Sequence, residues 1–320
     1  MKPIFSLGGI TAERGTKAQG FIKVLDTGTV MPVTLINGEK QGKTMLITSG
    51  VHGSEYPGIL TAIRLGAGLD PKDISGQIIL VHPVNLQAFS KRCAAVVPED
   101  GKNINRMFPG DEKGSIAEKI AYVITNEFFK AADYYMDFHG GDLYESLIPY
   151  AYFSGSCNSK VVQASKKMSQ VLDLPYMVNC METSGTFGCA AMLGIPAILV
   201  ERGCNGLCLK DDVEKYILDA KRVLKRLDIL ADDSLIFPDK APLELTNVCY
   251  TEAKSTGCWL PAVTAGQKIR KGDKLGYTTD LFGQIIDTYS AEFDGVVLYH
   301  CASLSAPKGS ELVAYGELDW

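Results

Sequence analysis

Thr44-Met45-Leu46-Ile47-Thr48-Ser49-Gly50-Val51-His52-Gly53-Ser54-Glu55-Tyr56-Pro57-Gly58 passes from a short apolar run through a glycine-bounded turn to a proline. Thr44 to Thr48 is β-rich and bounded by a turn signal, so it reads as a buried strand. Pro57 suits the first turn of a following helix, where its missing N–H is not needed. Strand, turn and helix in that order are the building unit of an α/β domain. The turn carries His52 and Glu55, three residues apart, and a neutral imidazole and a carboxylate at that spacing can grip one metal ion. Zinc takes nitrogen, sulfur or carboxylate oxygen, and a catalytic zinc has three protein ligands and leaves a fourth position to water. His139, one of only four histidines, is the candidate third ligand at long spacing.

Two further apolar runs end in polar residues of fitting chemistry. Tyr134 to Phe138 reads as a strand ending at His139, and Ala197-Ile198-Leu199-Val200 as one ending at Glu201. Ligands of open α/β sheets sit outside the carboxyl ends of strands, so three such ends converge on one expected site. Asp137, two residues before His139 along its strand, points to the same side and could orient an imidazole. Ser115-Ile116-Ala117-Glu118 has capping-box spacing and predicts a helix from Ser115 to about Lys130. Amphipathic stretches at Lys160 to Val171 and Asp212 to Leu227 continue the alternation, which predicts a sheet covered on both faces.

The pattern changes between Asp232 and Pro242, where Asp, Pro and Lys dominate. We expect residues 1–235 to form the catalytic domain and 236–320 a small all-β domain of short, glycine-punctuated strands. Ala265 to Gly276 resembles a segment of the barrel-sandwich fold of lipoyl- and biotinyl-type domains. Carriers of that fold present a modifiable lysine at a hairpin tip, whereas the comparable tip here is Asp280-Leu281-Phe282-Gly283, so the module reads as structural or access-limiting.

Composition excludes several partners. With 46% hydrophobic and 22% charged residues the chain is globular, and its net charge of -5 is not gathered into blocks that would favour nucleic acid or anionic membrane. No apolar run approaches a membrane span, and the amino terminus lacks the extended apolar region of a secretory signal. Nine scattered cysteines fit a reduced, cytoplasmic setting. Cys204 and Cys208 have no second pair to complete a metal site, and His82 and His300 read as packed or solvent-facing.

Between the first two candidate ligands and the third lie Arg92 and the stretch Asp100-Gly101-Lys102-Asn103-Ile104-Asn105-Arg106-Met107-Phe108-Pro109-Gly110. Asn105 and Arg106, in a Gly- and Pro-bounded loop, suit a carboxylate, because guanidinium offers a planar donor fork and the amide another donor. Four ordered elements now stand together: His52 to Glu55, Asn103 to Gly110, Asp137 to Gly141 and Gly194 to Gly203. In this order they resemble the succinylglutamate desuccinylase/aspartoacylase family of the zinc carboxypeptidase superfamily. The resemblance implies a mixed sheet covered by helices on both faces, followed by the small β domain. It also implies that His52, Glu55 and His139 hold one zinc ion, Glu201 is the general base and acid, Asn105 and Arg106 hold a substrate carboxylate, and Arg92 polarises the scissile carbonyl.

The expectation is a cytoplasmic zinc amidohydrolase that removes the acyl group from a small N-acyl amino acid or related amine, with neither nucleic acid nor membrane as partner. A homo-oligomer is compatible with the sequence. A zinc carboxypeptidase acting on small peptides and a non-catalytic metal- or ligand-binding protein are the alternatives.

Overall fold

Strand Lys40–Ser49 begins exposed and turns fully buried from Thr44, where it enters the middle of a nine-stranded sheet. The computed structural model of the protein describes residues 4–318. In spatial order the sheet runs Leu243–Leu245, Tyr176–Cys180, Tyr150–Ser154, Ala197–Glu201, Tyr134–His139, Lys40–Ser49, Ser75–Val81, Val30–Asn37 and Thr16–Lys23. Its centre is parallel: Lys40–Ser49 pairs in parallel with Ser75–Val81 and Tyr134–His139, which pairs in parallel with Ala197–Glu201. Antiparallel pairs flank that centre, so the sheet is mixed.

Successive residues of a strand face opposite sides of a sheet. Met45, Ile47, Met136, Phe138, Ile198 and Val200 therefore pack with helices Tyr56–Gly68, Ser159–Ser169 and Lys210–Arg226 on one face. Leu46, Tyr135, Ala197 and Leu199 pack on the other face, against helices Ile116–Val123 and Gly185–Met192. Burial on both sides is why these strands read as continuous apolar runs rather than as alternating ones. Truncating a fully buried residue such as Leu46 to alanine should cost about 2–5 kcal/mol.

The helix expected from Ser115 has its capping box, runs over Ile116–Val123, widens to a π turn over Ile124–Phe128 and ends in Phe129–Ala131. Helix Tyr56–Gly68 carries its proline in the first turn, as expected, with Glu55 at its N-cap. The chain leaves the central sheet at Leu245, because Leu243–Leu245 pairs in parallel with Tyr176–Cys180. From Val248 onward the strands form two antiparallel sheets. One takes in Glu145–Leu147 as a partner of Gly295–Cys301, so a loop that follows His139 is hydrogen-bonded to the C-terminal sheet. The hairpin tip at Asp280 to Gly283 is as expected, with Leu281 and Phe282 exposed. Among the described residues no helix is long and apolar enough to cross a membrane.

Candidate metal centre

Three adjacent parallel strands end together: Ser49 pairs with Phe138, and His139 with Glu201. Past Ser49 the chain reverses at Gly50, whose φ of 65° lies in the left-handed region. A Cβ there would also come within 2.4 Å of the Pro83 side chain, so glycine is required on two counts. The reversal brings His52 back toward its neighbouring strand. Its ring centroid lies 4.9 Å from that of His139, the two rings nearly perpendicular. Glu55 is the N-cap of its helix yet makes no capping bond with its side chain. Its carboxylate faces the imidazoles, with Oε1 2.7 Å from His52 Nδ1 and Oε2 3.2 Å from His139 Nδ1.

His52, Glu55 and His139 each present one donor atom, all within 4.8 Å of one another. The far nitrogens are already engaged: His52 Nε2 lies 3.1 Å from Asn103 Oδ1, and His139 Nε2 lies 2.9 Å from Asp137 Oδ2. When the ring is neutral, an acceptor on Nε2 keeps the proton there and leaves the lone pair on Nδ1, the nitrogen that faces Glu55. Glu55 Oε2 is buried and satisfied by no hydrogen bond. Two imidazole nitrogens and a carboxylate oxygen form a donor set that fits a divalent zinc-like ion. The surrounding carboxylates favour positive charge at this point, which a proton on His139 or a bound cation would supply. Burial opposes charge on Glu55, but His52 and His139 outweigh it and hold the carboxyl below its usual range. Burial likewise lowers the His139 pKa, but Asp137 and Glu55 together push it well above the usual value, as expected where two carboxylates attract positive charge.

Asp137 is fully buried and accepts from Thr48 Oγ1 at 2.6 Å, from His139 Nε2 and from Thr186 Oγ1. Glu201 stands beside His139 in the sheet, and its Oε2 is buried without a partner. Burial raises its pKa well above the usual carboxylate range; His139 pulls the other way, and Glu55, Asp137 and Asp142 add to the rise. Behind this edge, the Tyr216 hydroxyl lies 2.6 Å from the carbonyl of His139 and also within reach of that of Val200. Arg202, next to Glu201, is buried in an ion pair with Asp219 at 2.6 Å. Helix Lys210–Arg226 supplies both Tyr216 and Asp219 and so braces two strand ends at once.

The loop expected to anchor substrate is itself anchored. Asn103 caps a short 3-10 turn over Ile104–Arg106, and Asn105 Oδ1 accepts the Thr186 N–H at 2.9 Å. Arg106 Nη2 lies 3.7 Å from Glu311 Oε1, and both side chains are about half exposed. An exposed pair of this kind is worth at most about 1 kcal/mol, so a competing carboxylate can displace it. Arg92 ends helix Leu86–Lys91 in the left-handed conformation with its side chain exposed, and that helix packs against the turn that carries His52, where a Cβ on Gly53 would meet Ala88 and Phe89. All nine cysteines are free, Cys204 and Cys208 among them. Sequence reasoning missed Asn103, Thr186 and Tyr216. Asn103 lay inside the quoted loop as a polar residue without an assigned partner, whereas nothing local marks the other two.

Beside the cluster lies a cavity of about 420 Å³. Asp142, Tyr144 and Glu145 line it from the loop after His139, and Tyr299, Cys301 and Glu311 from the C-terminal sheet. Residues 41–225 match the succinylglutamate desuccinylase/aspartoacylase catalytic domain. The N-alpha-acetyl-L-2,4-diaminobutyric acid deacetylase of Halomonas elongata is 28% identical over 303 residues, covering 91% of this chain and 87% of the relative. Among solved structures, the product-bound ectoine utilization protein EutE (DoeB) of Ruegeria pomeroyi superposes with a TM-score of 0.86 at 24% identity, covering 99% of each chain. A succinylglutamate desuccinylase/aspartoacylase from Rhodobacter sphaeroides does so with a TM-score of 0.80 at 22% identity, covering 95% of each. At these identities the superpositions establish a shared fold.

Proposed function

The chain belongs to the succinylglutamate desuccinylase/aspartoacylase family, and on that premise we propose that it is a zinc-dependent amide hydrolase releasing the acyl group of a small N-acyl amino acid. The observation that carries this reading is the convergence of His52, Glu55 and His139 at one strand edge, with both far imidazole nitrogens engaged and Glu201 alongside. When bound, zinc supplies a Lewis acid and lowers the pKa of its water to about 7. Glu201, at the adjacent strand end, takes the proton of the attacking water and returns it to the departing amine. Asn103 and Asp137 hold the two imidazoles in one tautomer. Arg106 exchanges its weak pair with Glu311 for the substrate carboxylate, and Asn105 adds an amide donor. Nine free cysteines support a reduced, cytoplasmic setting.

The cavity lining favours substrates with a second amine. Asp142, Glu145 and Glu311 put three carboxylates on its wall. Burial, and then the charges of Glu201, Asp142, Glu55 and Glu311, push the Glu145 carboxyl well above its usual range, and a nearby ammonium group would favour its ionised form. The Halomonas relative is named for an N-acetylated diamino acid, which supports the same class here.

The test is hydrolysis by zinc-loaded protein of matched N-acetyl and N-succinyl amino acids, with and without a side-chain amine, beside a panel of small peptides. Zinc content near one ion per chain, with cleavage of N-acyl amino acids and not of peptides, is expected. Peptide cleavage alone would turn the reading to a carboxypeptidase.

A further inference from the structure

We propose that Thr186 is a positioning residue that couples the substrate-anchoring loop to the metal ligand His139. The inference rests on the zinc hydrolase reading above and adds a residue with two separable duties.

Thr186 is fully buried at the start of helix Gly185–Met192. Its backbone N–H donates to Asn105 Oδ1 at 2.9 Å. A backbone N–H can only donate, so this bond decides which end of the Asn105 amide is the oxygen and leaves Nδ2 as the end available to a substrate carboxylate. Its hydroxyl donates to Asp137 Oδ2, the same oxygen that accepts from His139 Nε2. Thr48 holds the other Asp137 oxygen. Asp137 is wholly shielded from solvent, so bulk water cannot replace a lost donor. Without the Thr186 hydroxyl, the carboxylate that orients the imidazole loses one of the hydroxyl donors that hold it, with Thr48 and Tyr135 remaining.

Gly185 sets the geometry of the first contact. Its φ of 76° is left-handed, and a Cβ there would come within 2.8 Å of Asn105 Oδ1. The loop amide and the helix start therefore touch with no room between them. A single residue thus registers Asn105 to the helix through its backbone and His139 to the same helix through its side chain. Displacement of the helix start would disturb substrate anchoring and metal geometry together.

The two duties predict two different variants. Thr186→Val keeps shape and backbone N–H but removes the hydroxyl, so zinc affinity, read by competition with a chromophoric chelator, should fall about tenfold or more. KM for substrates with a free carboxylate should stay within about twofold, because the bond to Asn105 survives. Thr186→Ser should recover most of the zinc affinity. Gly185→Ala, which forces the helix start away from Asn105, should raise KM and lower zinc affinity together. Thr186→Ala repeats the metal measurement if the valine variant does not fold, and thermal midpoints accompany every variant. Wild-type zinc affinity in Thr186→Val, or a loss that serine does not recover, overturns the coupling. Wild-type protein that takes up no zinc overturns the metal reading instead.

Discussion

Replacing Glu201 with glutamine separates proton transfer from metal binding. Glu201 Oε2 is buried and makes no hydrogen bond, so the amide can occupy the same volume without breaking a contact at that atom. Zinc is assigned to His52, Glu55 and His139, whose donor atoms lie within 4.8 Å of one another and do not include Glu201. The variant should therefore bind zinc and substrate as wild type does. It loses a group able to take and return a proton, which is worth about 10²- to 10⁴-fold in kcat, or about 3–5 kcal/mol of barrier at 1.36 kcal/mol per tenfold. Glu55→Gln, by contrast, removes charge from between two imidazoles and should weaken zinc binding first, so added zinc should restore part of its activity. The assay is kcat and zinc stoichiometry of both variants across a zinc titration. Rescue of Glu201→Gln by zinc, with none for Glu55→Gln, would show that base and ligand have been exchanged.

Arg106→Ala should raise KM about ten- to hundredfold for substrates with a free carboxylate and leave zinc content unchanged, since a charge-assisted contact is lost away from the metal; equal losses for matched esters would refute the anchoring role. Arg92→Ala should lower kcat about tenfold or more at unchanged zinc content if its guanidinium polarises the scissile carbonyl; kcat within about threefold of wild type would refute that role. Asp219→Ala should lower unfolding stability by about 3–5 kcal/mol, because it strands the Arg202 guanidinium, only 2% exposed, without its counter-charge; a urea midpoint within error of wild type would contradict this. The Ser115 hydroxyl, Lys102 and the Ser115 N–H lower the Glu118 pKa to about 2 from an ordinary 4.5. Its stabilising contribution is therefore complete above pH 4.5 and is lost as pH falls toward 2, so the gap in urea midpoint between wild type and Glu118→Gln should narrow from pH 7 to pH 3.

The strand ends were legible because burial on both faces leaves continuous apolar runs, and each run stops at a residue that must stay polar. His139 and Glu201 stand out for that reason, and Gly50 marks the turn that delivers His52. The capping box at Ser115 to Glu118 is equally local, since both partners lie within one helical turn. What escaped reading depends on distant chain. Thr186 meets Asp137 across 49 residues and Asn105 across 81, and no local pattern encodes either contact. Tyr216 falls on the buried stripe of an amphipathic helix, where its ring reads as core and its hydroxyl gives no sign of the His139 carbonyl beyond it. Strand Leu243–Leu245 follows a Pro- and Lys-containing stretch and acquires strand character only by pairing with Tyr176–Cys180.

The same long-range pairing bears on the choice between deacylase and peptidase. A peptidase needs a groove open at both ends of the scissile bond. Here the chain leaves His139 through Gly140 and Gly141, lines the cavity with Asp142, Tyr144 and Glu145, and is then hydrogen-bonded through Glu145–Leu147 to strand Gly295–Cys301. That strand lines the same cavity with Tyr299 and Cys301, so the two segments of its lining are joined by backbone hydrogen bonds and cannot part without breaking a sheet. Glu311 closes the circuit by pairing with Arg106 of the anchoring loop. At about 420 Å³ the cavity lies near the small end of ligand pockets, a size that suits an amino-acid-sized group. Small-substrate selectivity would then follow from how the C-terminal sheet is attached, and loosening that attachment, for example with a proline at Ser146, should widen the range of acyl amines accepted before it creates any peptidase activity.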